Sequence, residues 1–197
     1  MLVTERMLTP AATGGALCQV LPSGPGFEND NNLSLFVALF HAAQEKIVIA
    51  NPYFVPDDAM MLAITSAALR GVDVTLIVSA IGDQFMVYHA QRSFYEELLR
   101  AGVKIYRYQS PVLLHSKHLS IDDDIAVIGS SNMDLRSFQL DLEVTLICYD
   151  SGVVAEMQTV FADYLRHSTR LNAGEWATRP AAVKFFDNLL RLTSSLQ

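Results

Sequence analysis

Short apolar runs alternate with stretches of helical period along most of the chain. Residues 17–21 read as a strand, ended by the turn chemistry of Pro22-Ser23-Gly24-Pro25-Gly26. Asn31 or Asn32 can cap a helix running to about residue 45, with Leu35, Phe36, Leu39 and Phe40 on one stripe. Lys46–Ala50 is an apolar run of strand length. Asp57 or Asp58 opens a helix to residue 70, closed by Gly71, and residues 72–79 form the next strand. The pattern then predicts a helix over Phe85–Ala101, closed by Gly102, and a strand over 103–108. Residues 114–121 read as a strand, the β-branched run 125–128 as another, and Glu143–Tyr149 as a third. Helices are expected over 152–167 and 181–192, the last with Phe185, Leu189 and Leu192 on one stripe, widened by Phe186 and Leu190. Strands alternating with helices predict an α/β fold, with right-handed crossovers and helices on both faces of one sheet. A hairpin turning at Asp122-Asp123-Asp124 makes that sheet mixed.

Composition sets the bounds. The chain has 197 residues, enough for one domain with a sizeable core, and 51% of them are hydrophobic. Mean hydropathy is +0.25. No run approaches the roughly 20 apolar residues of a membrane span. A charged start followed by an apolar segment is missing too, so no signal peptide is expected. Residues 1–15 are weakly patterned and read as a linker or the remnant of an upstream region, with the domain proper at 16–197. The net charge of −7 argues against non-specific nucleic-acid binding, which depends on neutralising phosphates. Cys18 and Cys148 lack metal-like spacing and read as free thiols in a reducing compartment.

The candidate chemistry lies between residues 115 and 143. Side chains alternate along a strand, so His115 and Lys117 share one face while Ser116 and His118 take the other. An ammonium beside an imidazole suits a phosphodiester: the cation meets phosphate oxygens, and the imidazole attacks or moves a proton near neutral pH. Asp122 has the opposite parity and reads as a structural partner in the turn. The hairpin returns Gly129-Ser130-Ser131-Asn132 to the level of His115. There Gly129 permits close backbone approach, and Ser130 and Asn132 offer neutral donors to phosphate oxygens. Glu143 is the expected carboxylate that accepts from one His115 nitrogen and fixes the tautomer.

His115, Lys117, Asp122, Gly129, Ser130 and Asn132 resemble the HKD motif of the phospholipase D superfamily, six matching residues over eighteen positions. The flanks 51–56, 71–74 and 131–138 are similar to the C-terminal half of bacterial cardiolipin synthases, and the resemblance covers roughly residues 16–197. One departure is Asp141, two positions before Glu143, where such enzymes usually carry Asn. The resemblance implies one HKD half of a phosphatidyltransferase. Two phosphatidylglycerols would give cardiolipin and glycerol through a phosphatidyl-histidine. His115, Lys117, Asp122 and Glu143 form the implied catalytic set, with Lys117, Ser130 and Asn132 on the phosphate. In two-motif relatives the first motif usually supplies the nucleophile, which makes His115 the general acid. The implied partners are phosphatidylglycerol, a membrane surface, and either the first HKD half or a second copy of this chain, with no nucleic acid. The implied location is the bacterial cytoplasmic (inner) membrane, through anchoring segments absent from this chain. Two other classes stay open: a single-motif phosphodiesterase or nuclease acting as a homodimer, and an inactive isolated half.

His41 and His118 read as hydrogen-bonded structural histidines, and His89 and His167 as ordinary helix-face residues. Adjacent carboxylates at 122–124 lack the spacing of a calcium loop, so no metal and no cofactor are expected. Arg136 either meets a second phosphate or head group, or bridges Asp134 or Glu143. Tyr53 and Phe54 are candidates for the mouth of the site, a core position for Phe54 being equally open. Trp176 is a candidate interfacial anchor.

Overall fold

The computed structural model describes residues 15–192, apart from Glu28 and Asp83. The expected linker at 1–15 therefore lies almost wholly outside the described residues. The strands are β1 (Leu17–Ser23), β2 (Lys46–Ala50), β3 (Phe54–Val55), β4 (Asp73–Ser79), β5 (Lys104–Tyr108), β6 (His118–Ile121), β7 (Ile125–Gly129), β8 (Met133–Asp134), β9 (Glu143–Tyr149) and β10 (Ser168–Arg170). The helices are α1 (Asn31–Ala42), α2 (Asp58–Leu69), α3 (Phe85–Ala101), α4 (Leu135–Gln139), α5 (Ser151–Arg166), α6 (Ala173–Ala177) and α7 (Ala181–Arg191). Eight strands form one mixed sheet in the order β1-β9-β7-β6-β2-β4-β5-β10, while β3 and β8 pair as a two-residue parallel ladder beside it.

Helices cover both faces of the sheet, unevenly. The larger core lies under α1, α2 and α3 and includes Phe36, Phe40, Met60, Ile64, Phe94 and Leu98. The smaller one lies under α5, where Val154, Met157 and Phe161 meet Val48, Ile77 and Ala126. β2, β4 and β5 run parallel, and β6 turns back antiparallel on β2 with His118 opposite Ala50. The N-terminus of β6 thus lies at the edge of the sheet where the parallel strands end.

Two local features differ from the sequence pattern. The strand expected over 114–121 begins only at His118. Beyond Ala50 and Gly129 the neighbouring strands stop, and the last ladder bond runs from the Gly129 N–H to the Lys117 carbonyl at 3.0 Å. α1 ends at Ala42 instead of about residue 45. The Asp122 carboxylate takes the backbone N–H groups of Gln44, Glu45 and Lys46 at 3.0, 2.8 and 2.8 Å, which turns the chain into β2. Arg70 closes the helix end by donating to the carbonyls of Phe40, His41 and Ala43.

The C-terminal region departs most. The apolar stripe of α7 faces outward: Phe185 is 70% exposed and Leu192 77%, whereas Asp187 is 1% exposed. His89 is no ordinary helix-face residue, because its Nδ1 lies 2.8 Å from Asp187 Oδ1. Trp176 is no surface anchor either. It is buried, with Arg179 3.6 Å and Arg92 5.2 Å from its ring centre and Tyr95 packed beside it. Cys18 and Cys148 face each other across β1 and β9, their sulfurs 3.2 Å apart. Burial, with Cys18 as neighbour, pushes the Cys148 thiol up to about 11.

Candidate active site

The segment from Leu114 to His118 keeps strand-like alternation although no strand pairs with it at its start. Leu114 is buried in the α5-side core. Ser116 shares a hydrogen bond of 2.8 Å with Tyr164 on α5, and His118 stacks on Tyr164 and packs against Phe161. His115 and Lys117 therefore project the other way, together. The Lys117 Nζ lies 3.3 Å from His115 Nδ1, 3.4 Å from Nε2 and 3.2 Å from the His115 carbonyl, to which it donates. Partial burial pulls the Lys117 ammonium below its ordinary range, against the opposing pull of Glu143 and Asp134.

β7 brings the second part of the motif alongside. The Ser130 N–H donates to the Val144 carbonyl at 3.1 Å. A side chain at Gly129 would place its Cβ 2.9 Å from Thr145 Oγ1 and 3.2 Å from the Val144 carbonyl oxygen, so close approach to β9 requires glycine there. Ser130 donates its hydroxyl to Glu143 and accepts from the Val144 N–H at 3.0 Å. This corrects the role expected of Glu143: among the described residues its donor is Ser130, not the His115 imidazole. β9 presents the carboxylate beside the Ser130 backbone, whose N–H is held by the next residue of that strand. Asn132 is partly buried, and its Oδ1 has no partner among the described residues.

Asp122 stands at the far end of β6, away from phosphate reach. Its φ of +49° and its three backbone donors make it the hinge of the hairpin. Partial burial disfavours its charge, but the bonds from Lys46, Gln44 and Glu45 outweigh that and hold the carboxyl below its usual range. Asp123 meets Lys46 at 3.4 Å. Arg136 bridges neither Asp134 nor Glu143; its Nε lies 3.6 Å from Asp141.

Asn51 and Asp134 carried too little local signal to be assigned a place near the site, whereas Tyr53 stands beside His115. Asn51 donates to the Ser131 carbonyl at 3.3 Å and accepts from the N–H groups of Tyr53 (3.2 Å) and Met133 (3.4 Å). It thereby holds the β2–β3 turn against the Asn132 segment. Tyr53 sets its ring edge-on to His115, centroids 6.3 Å apart, while Phe54 is wholly core. Asp134 caps α4 by accepting from the Ser137 N–H at 2.7 Å, and its burial raises its pKa. The paired Asn-Pro and Asp-x-x-Ser signals at 51–52 and 134–137 mark turns and a cap, but not what they touch.

The segments before β6 and after β7 offer an imidazole, an ammonium, an oriented hydroxyl and a carboxamide, a set of groups that suits a phosphodiester. Among the described residues no group of three or more His, Cys, Asp or Glu is arranged to hold a metal ion. Leu140 and Leu142 stand exposed beside Glu143, and Val144 and Ile128 continue that apolar rim.

A family model described as "Cardiolipin synthase, PLD-like domain" matches residues 36–165. The chain is 40% identical over 182 residues to a cardiolipin synthase A of Serratia proteamaculans, covering 92% of this chain and 37% of that protein. It is 37% identical, with the same coverage, to a cardiolipin synthase A of Proteus mirabilis. The chain thus spans little more than a third of the length of these relatives. In fold it is similar to a phosphatidylserine synthase of Haemophilus influenzae, with TM-score 0.71, 18% identity, and 92% of this chain on 48% of that one. It is also similar to Nuc, a phospholipase D family member of Salmonella typhimurium, with TM-score 0.68, 16% identity, and 80% of this chain on 99% of that one.

Proposed function

The chain belongs to the PLD-like domain family of cardiolipin synthase, and from that premise we propose that it is the second catalytic half of a phosphatidyltransferase that makes cardiolipin from two phosphatidylglycerols. The observation that carries the reading is the single His115–Lys117 pair, 3.3 Å apart, with the His115 imidazole exposed at the edge of the sheet. One ammonium and one imidazole make half of an in-line site. Displacement at phosphorus wants a nucleophile on one face and a proton donor opposite it.

The nucleophile comes from a first half outside this chain, or from a second copy. It attacks the phosphorus of phosphatidylglycerol, and the bond to the leaving glycerol oxygen breaks. His115 gives that oxygen its proton. A second phosphatidylglycerol then gives its hydroxyl proton to His115, its oxygen displaces the nucleophilic histidine of that other half from phosphorus, and cardiolipin is released. Lys117 holds non-bridging oxygens as a point charge, and Asn132 donates its amide N–H groups to them. Ser130 keeps its hydroxyl on Glu143 and so orients that carboxylate beside Lys117. Asp122 fixes the hairpin. Tyr53 limits the swing of the imidazole. The enzyme works at the inner membrane of a bacterium, anchored by segments outside this chain. Among the described residues no helix is long and apolar enough to cross a bilayer.

The test is reconstitution. This chain, a separately made first half of a relative, and both together are given labelled phosphatidylglycerol in excess chelator. Cardiolipin from the pair alone, lost in His115→Ala, supports the reading. Strict dependence on an added divalent ion overturns its metal-free chemistry. Cleavage of plasmid DNA by the chain, lost in the same variant and with no lipid product from the pair, turns the reading to a nuclease.

A further inference from the structure

α7 packs on the domain through its polar side. The Asp187 carboxylate lies within 2.8 Å of His89 Nδ1, 3.3 Å of Arg92 Nε and 2.7 Å of Arg179 Nη1. A buried carboxylate with three such partners is compensated in charge, and it fixes the rotation of the helix. That rotation turns Phe185, Leu189 and Leu192 to the outside, at i, i+4 and i+7. An amphipathic helix normally does the reverse. Phe186 continues the patch to Phe85, ring centroids 6.2 Å apart, and Met86 and Ile81 lie exposed next to it.

Position and charge both bear on what covers this patch. α3 starts just after β4 ends, so Phe85 and Ile81 stand at the edge of the sheet where the parallel strands end. His115 and Lys117, just ahead of β6, stand at that same edge. The cations of α7, Lys184 and Arg191, are half-buried at the margin of the exposed stripe, and its one carboxylate, Asp187, is directed inward. Arg191 lies over the Phe94 ring, 4.2 Å from its centre, and Lys184 reaches Glu96 at 3.3 Å. In a chain of net charge −7, α7 carries two cations and one buried carboxylate beside its apolar face. Exposed aromatic and aliphatic side chains flanked by cations with aliphatic stems match an anionic bilayer interface.

We propose that the outward face of α7, together with Phe85 and Met86, is the seat on which this domain rests against an anionic phospholipid surface, so that its catalytic edge meets head groups at the bilayer. The proposal rests on the phospholipid reading above and names the surface that reading needs. Seating here delivers the substrate by lateral motion in the bilayer. A phosphodiester need not leave the membrane to reach His115.

The test is sedimentation of the 197-residue chain with vesicles of phosphatidylcholine alone, or with phosphatidylglycerol in equal amount. Binding is expected to the mixed vesicles and to fall more than about tenfold in the Phe185→Asp, Leu189→Asp double variant. Lys184→Gln and Arg191→Gln should each weaken it about fivefold, and less at high salt. The melting temperature of every variant is measured alongside. Should the Asp pair melt early, Phe185→Ser with Leu189→Ser repeats the comparison. In Phe185→Trp, indole emission should shift to the blue on mixed vesicles only. Undiminished binding by folded double variants, or no binding by the parent chain, overturns the proposal. So does a dimer of the parent chain that the Asp pair splits while lipid binding stays unchanged, which gives the face to a second copy. Vesicle binding that depends on Phe185 and Leu189, in a protein that never turns over phosphatidylglycerol in reconstitution, supports the seat and removes the functional reading instead.

Discussion

Ser130 donates its hydroxyl to Glu143, and this contact occupies a carboxylate whose charge favours the Lys117 ammonium. Glu143 opposes the burial that would otherwise push Lys117 further towards its neutral form. In the reconstituted enzyme, Glu143→Gln should therefore move the alkaline limb of the pH–rate profile to lower pH. Lys117 loses a charge partner there and gives up its proton sooner. A profile recorded through neutral to alkaline pH checks this. An unchanged alkaline limb with reduced turnover would assign Glu143 to positioning alone.

His115 is the one imidazole beside Lys117, His118 being turned to α5. His115→Ala should lower cardiolipin formation by about 10²–10⁴-fold, the range for loss of a positioned proton carrier. Substrate binding should suffer much less, because Lys117 and Asn132 remain. Single-turnover kinetics with the complete enzyme separate the two effects. The chain by itself should form cardiolipin only as an associated species, so activity followed across a dilution series should fall with the dimer fraction. Full turnover by a strict monomer would show that no second imidazole is needed.

Asp122 joins the hairpin to the start of β2 through three backbone bonds. Asp122→Ala should destabilise the domain by about 1–3 kcal/mol, since it leaves donors unpaired and puts alanine at positive φ. Asp122→Asn should lose less, because Asn keeps one acceptor and tolerates that backbone. The folded carboxyl is held low, so its contribution is present above the unfolded value and is lost as pH falls through the folded one. Urea unfolding of parent and variant should accordingly differ most at neutral pH and converge in strong acid.

His118 is neutral in the folded domain, because burial lowers its pKa to about 4. In the unfolded chain it takes a proton near pH 6.5. Between those values the unfolded state binds the extra proton. Stability should thus fall as pH drops from about 6.5 towards 4, by up to roughly 3 kcal/mol, and level off below. Replacing the ring by another aromatic, His118→Phe, keeps the stack on Tyr164 and should flatten this slope. An equal slope in both proteins would locate the acid sensitivity elsewhere.

Much of this protein was determined by short-range pattern. Lys46–Ala50, Phe85–Ala101 and Glu143–Tyr149 form as the apolar period and the flanking glycines and turns predict, because propensity, capping and alternation act over a few residues. The shared side of His115 and Lys117 was legible for the same reason: alternation survives even where β6 has no neighbour to pair with. The strand's true start was not legible, since it depends on where β2 and β7 end. Partners across the sheet were decided by its order. β9 lies between β1 and β7, so Cys18 meets Cys148 and Glu143 meets Ser130. The rotation of α7 was decided later still. Its period marks an apolar stripe and predicts that this stripe turns inward. Asp187 finds His89, Arg92 and Arg179, nearly a hundred residues away in two cases, and a fully partnered carboxylate outweighs the stripe. A periodic pattern says which side chains share a face. Which face goes inward depends on what the rest of the folded chain offers it.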